Sequence, residues 1–180
     1  MSMNEILRCL KVYYKGAESA EKVILNCALT AAAASAVGCF VPVLSLPSMI
    51  ISCFGAVWMM YAQLCDCLGI PFKTNILKVL ASAALSNIAT NLIGVFVVEL
   101  LVAFIPGVGS VAGAAVTFAC VYLAGMMFMK MLLAFAKNGK TGSDLDSMTS
   151  REAQSYMKKC EVSKEDVKDA KAAFDQSYQK

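Results

Sequence analysis

The chain of 180 residues contains no histidine. That removes the commonest general base, any Ser-His or Cys-His dyad, and any mixed Cys/His metal site. Charge is also scarce, at 16% of residues, against roughly 25% in ordinary soluble domains. No charged residue occurs from Val23 to Cys65, and only Asp66, Lys73, Lys78 and Glu99 follow before Lys130. Strict alternation of apolar and polar residues is missing, which argues against half-buried strands and for an all-α chain. No basic stretch is interleaved with aromatics, so nucleic acid is not an expected partner.

Cysteine is the exception, with eight copies. Cys27, Cys39, Cys53 and Cys120 lie within apolar runs, where the thiol behaves as a small hydrophobe. Cys65 and Cys67 form C-x-C rather than C-x-x-C. We therefore expect reduced thiols, no metal site and no cofactor. Met1–Lys22 holds seven charges ahead of the first apolar run, so no secretory leader is expected. Gly is absent from position 2 and no C-a-a-X box closes the chain, so no lipid anchor is expected either.

What the chain does have is apolar mass: 58% hydrophobic residues and a mean hydropathy of +0.63. Met3–Val12 reads as an amphipathic helix with Ile6, Leu7 and Leu10 on one side. Apolar helices follow at about Ser19–Phe40, Pro47–Leu68, Thr74–Phe104 and Val108–Ala136. Pro42 and Pro47 punctuate the first pair. The second pair meets at Phe104–Gly113, where Pro106 lacks an N–H and Gly107 and Gly109 tolerate positive φ, so a tight turn costs little. Gly109, Ala112 and Gly113 then place small residues at helical spacing, which predicts close helix packing. Asn138–Ser143 is a polar linker, and two charged helices at about Ser150–Cys160 and Ser163–Tyr178 complete the chain.

This divides the chain into an N-terminal amphipathic segment (1–22), a membrane-embedded domain of two long apolar helical hairpins (23–137), and a charged, soluble cytosolic tail (138–180). The fourth and fifth helices exceed the ~20 residues that cross a hydrocarbon core. Every Lys and Arg lies on the side away from the Pro42–Pro47 and Pro106–Gly109 turns, which agrees with the positive-inside rule. The expectation is four transmembrane helices, multi-pass, with both termini cytoplasmic. Hairpins that enter the bilayer without crossing, or a peripheral or soluble bundle, are the alternatives.

Two patterns inside the apolar mass invite chemistry. Asn87, Asn91 and Glu99 share a face of the fourth helix, a polar seam that lines a solute path or hydrogen-bonds across helices. The second fits better, because no acidic or basic partner sits in the other apolar helices. Ala134–Thr141 satisfies a relaxed phosphate-loop string, but it follows an apolar helix instead of a strand, so a linker is expected.

Ala20–Val23 with Ala31–Ala34, Pro42 and Pro47, Met60, Gly69-Ile70-Pro71 and Ile105-Pro106-Gly107-Val108-Gly109 form a set that resembles the domain of unknown function numbered 697, over about Glu18–Lys140. The chain departs from that pattern after Pro47, where Ser48-Met49-Ile50 offers no Asp, and near Val57-Trp58, which offers no Gln. The resemblance implies a helical membrane protein or membrane-attached segment, a small GTPase as neighbour or partner, and no catalytic residues. The expected function is a non-enzymatic integral membrane module that binds the lipid bilayer, forms homo-oligomers and recruits a cytosolic partner such as a GTPase. A small pore or transport component is the alternative.

Overall fold

A computed structural model describes residues 2–38, 45–103, 109–140, 144 and 147–178, with the side chains of 37–52, 91–112 and 178 outside that description. The described residues form seven helices: α1 Met3–Leu10, α2 Ala17–Gly38, α3 Ser45–Leu68, α4 Thr74–Ala103, α5 Gly109–Lys137, α6 Ser150–Lys159 and α7 Lys164–Tyr178. No strand occurs among them. The protein is all-α.

Local chemistry accounts for most of the helix ends. Ser2 and Glu5 close a reciprocal capping box on α1, and Thr149 and Glu152 do the same for α6. Ser163 and Asp166 repeat the arrangement before α7, with Ser163 N–H donating to Asp166 Oδ2 (2.7 Å) and Asp166 N–H to Ser163 Oγ (3.2 Å). Because α3 begins at Ser45, Pro47 falls in the first turn, where a missing N–H loses no intrahelical bond. Pro42, Pro106 and Gly107 lie outside the described residues.

Two helices stop on a left-handed glycine. Gly69 has φ +68°, and Ile70 N–H donates to Cys65 O at 2.9 Å, the Schellman arrangement. Gly139 also has φ +68°, with Lys140 N–H donating to Phe135 O at 3.1 Å. The phosphate-loop-like string is therefore a helix stop. Its Lys140 amide turns back onto its own helix and does not cradle an anion.

α5 is the centre. It packs against α1, α2, α3, α4, α6 and α7, and Phe118, Leu123, Met127, Phe128, Leu132 and Phe135 are all buried. A helix covered on every side must be apolar all round, which explains its composition without reference to lipid. Tyr61 of α3 stacks on Phe128 at 4.3 Å between centroids, and its hydroxyl donates to Ala124 O at 2.8 Å. At Gly125 a Cβ would sit 2.9 Å from Ile24 Cγ1 of α2, so glycine there permits the close α2–α5 approach. At Gly16 a Cβ would sit 1.8 Å from Cys67 O, where the α1–α2 turn presses on the end of α3. Neither Gly16 nor Gly125 stands out in the sequence.

The two hairpins point the same way. Ser35 Oγ, near the end of α2, donates to Gly113 O, near the start of α5, at 3.5 Å. The opposite end brings Gly16 beside Cys67. The helices of segment 138–180 are not spaced away from the apolar body. α6 packs on α4 and α5, and α7 packs on α5.

Candidate functional site

Three contacts fasten the tail to the apolar helices, besides the Met3 amide of α1, which donates to Asp169 Oδ2 of α7 at 3.3 Å. The first is an ion pair: Lys130 Nζ of α5 donates to Asp166 Oδ2 of α7 at 2.6 Å. The Asp166 side chain is 2% exposed and that of Lys130 21%. The second is Asn87 of α4, whose Nδ2 lies within hydrogen-bonding distance of Met157 O (3.3 Å), Lys158 O (3.4 Å) and Cys160 O (3.1 Å). These are carbonyls at the end of α6, where a helix has no intrahelical donors left to offer. The third is aromatic. Phe174 of α7 meets Phe118 edge-on at 5.3 Å, and Tyr156 of α6 meets Phe135 edge-on at 4.6 Å.

Asn87 thus hydrogen-bonds across helices, and its partners belong to the tail instead of another apolar helix. The side chains of Asn91 and Glu99 lie outside the described residues, as do the surroundings of Gly109 and Ala112. Gly113 is buried, and its carbonyl faces Ser35, so this small residue serves contact within the chain.

Most of the exposed positions on the described part of the body are polar, charged or small. Val12, Tyr13 and Met59 are the large hydrophobics exposed among the described residues. Asn26, Thr30, Gln63, Ser82, Ser86 and Thr90 face outward from α2, α3 and α4. Between α2 and α3 runs an open groove of about 380 Å3 lined by Asn26, Cys27, Thr30, Ala34, Met59 and Gln63 among others, with no charged group. A second hollow, of about 390 Å3, lies on α6 between Arg151, Gln154, Ser155, Lys158 and Lys159. Beside it Lys140 Nζ stands 5.0 Å from the Tyr156 ring centre. A hydrogen bond with the Tyr156 side chain, helped by Glu152 and Asp144, holds the Lys140 ammonium above its ordinary range.

Among the described residues one stretch, Gly113–Lys137 of α5, is long and apolar enough to cross a membrane, with mean hydropathy 1.9. Of its most apolar window, 78% is buried inside the protein. No family model, curated protein or solved structure matches this chain. Chemistry must therefore be read from the residues alone. Among the described residues no cluster of three or more His, Cys, Asp or Glu side chains is placed to hold a metal. Burial pushes the Cys160 thiol up to about 11.

Proposed function

We propose that this is a non-enzymatic, membrane-attached helical module whose two apolar hairpin ends enter the bilayer while the body and its docked tail remain in water and recruit a partner. One observation carries the reading. α7 lies along α5 from Lys130 to Phe118, and Lys164, Lys168, Lys171 and Asp175 of α7 are exposed. Charged side chains at that depth belong in water, since each costs about 2.5–3.5 kcal/mol at the centre of a bilayer. The segments beyond Ala36 and Thr90, residues 37–52 and 91–112, hold a single charge, Glu99. They join helices whose ends meet at the Ser35–Gly113 end of the bundle.

The four-span, multi-pass arrangement draws its support from helix length and from the one-sided distribution of Lys and Arg. Hairpin insertion keeps that same charge asymmetry and also leaves the charges of α7 wet. A lipid-facing helix surface would show Leu, Ile, Val and Phe, whereas the exposed described positions of α2, α3 and α4 are mostly Asn, Thr, Ser, Gln, Lys and Ala, with Met59 the large apolar one. A cytosolic partner, the small GTPase that the family resemblance implies, would meet the charged end. Self-association would use the hairpin ends, which are small-residue-rich near Gly109 and Ala112.

Flotation with liposomes tests the reading. The full chain should float, and Phe40→Asp with Leu101→Asp should abolish flotation while circular dichroism and melting stay close to those of the parent. Flotation unaffected by both changes would sink the proposal.

A further inference from the structure

α6 sets Arg151, Ser155, Lys158 and Lys159 at i, i+4, i+7 and i+8, on one face of the helix. With Gln154 they line the 390 Å3 hollow, and no carboxylate is part of that lining. The ion pairs Lys11–Glu18 and Lys130–Asp166 involve none of Arg151, Lys158 and Lys159. The helix that presents them is fixed at both ends. Thr149 and Glu152 box its start, Asn87 holds its last carbonyls, and Tyr156 anchors its middle on Phe135. The helix thus holds three cations together with no carboxylate among the lining residues, so their mutual repulsion is relieved when an anion binds.

We propose that this hollow is the docking site for an acidic segment of a partner protein, a proposal that rests on the reading that this end of the bundle faces water. Arg151 presents a planar fork that matches a carboxylate in two parallel hydrogen bonds, and Gln154 and Ser155 add uncharged donors beside it. The position argues for a protein over a lipid headgroup. Tyr156 rests on Phe135, two residues from the end of α5, whereas Gly113 marks the apolar end. The helix between them is roughly 33 Å long at about 1.5 Å per residue. That is several times the ~8 Å Debye length of physiological salt, so headgroups around inserted hairpin ends contribute little field at the Arg151 end of α6, while the Lys158 end, bound to Asn87, lies closer to them.

The test titrates the full chain in nanodiscs with a fluorescent Glu/Asp-rich peptide at low and physiological salt. Binding should weaken about tenfold or more in R151E/K158E and should fall with salt. The exposed α7 pair K168E/K171E should leave it unchanged. Circular dichroism and melting check that each variant is folded. No peptide binding by the parent chain at low salt would overturn the proposal, and so would an equal loss in both double variants, which would mean bulk charge alone. Loss of binding to phosphatidylserine vesicles in R151E/K158E, without peptide binding by the parent, would overturn it in favour of a membrane surface. Peptide binding by a chain that fails to float would leave this site standing and sink hairpin insertion, so the two failures are distinguishable.

Discussion

Lys130 and Asp166 offer the sharpest test of how the tail is held, because the two partners are unequally buried. Replacing Lys130 by Met leaves a carboxylate whose side chain is 2% exposed and whose Oδ1 already has no hydrogen-bond partner. The Ser163 amide alone would remain on Oδ2. Removing one member of a buried pair costs about 3–5 kcal/mol, and Lys130→Met belongs near the lower end, at about 3 kcal/mol. Asp166→Ala instead strands an ammonium that is 21% exposed and can swing its long stem toward water. Its cost should be about 2 kcal/mol, of which ~1 kcal/mol is the lost helix cap on α7. The double variant Lys130→Met/Asp166→Ala removes both charges, so its penalty should fall short of the sum of the two single penalties by at least ~1 kcal/mol. Denaturant unfolding followed by the single tryptophan, Trp58, gives the cycle, and hydrogen exchange locates the loss in α7. Additivity within ~0.5 kcal/mol, or a cost of Lys130→Met below ~1 kcal/mol as for a surface pair, would refute the latch.

Further outcomes follow from particular contacts. Gly125→Ala places a methyl 2.9 Å from two Ile24 carbons and should cost about 1–3 kcal/mol by overpacking. Gly16→Ala meets a backbone oxygen that cannot rotate away and should cost more, both read from unfolding midpoints. The Thr149 amide and hydroxyl hold the Glu152 carboxyl below its ordinary value. The capping contribution is therefore present at neutral pH and is lost as pH falls through that lowered value, so amide protection at the start of α6 should drop in acid, and Thr149→Val should flatten the dependence. Burial keeps the Cys160 thiol protonated, at about 11, so its alkylation at neutral pH should be slow. Asn87→Ala should speed that alkylation several-fold by loosening the end of α6, and an unchanged rate would contradict the capping role.

The helices were legible because their signals are local. Apolar runs, Pro47 and the polar linker Asn138–Ser143 place element ends within one or two residues of those observed. What the sequence could not distinguish was an apolar helix facing lipid from one facing protein. α5 has the same composition in both cases, and only the packing of α1, α6 and α7 around it decides that most of Gly113–Lys137 touches protein. The tail looked independent because Lys and Glu alternate along it. Its buried face is narrow, with Met148, Ala153, Met157, Asp166 and Ala170, and one of those five is a charged residue that reads as surface until its partner 36 positions earlier is known. Asn87 illustrates the same limit. Its amide asked for a partner, and nothing near it in the chain said that the partner would be the end of α6.

Cys39 gives the most direct measurement, since it lies in the uncharged segment between α2 and α3. In sealed proteoliposomes, a variant retaining Cys39 as its sole cysteine would be treated with a membrane-impermeant maleimide on either side. Hairpin insertion predicts protection from both sides and labelling only after detergent is added. Labelling from the side opposite the α6–α7 tail would mean that the chain crosses the bilayer, and labelling from the same side would mean that the hairpin ends never enter it.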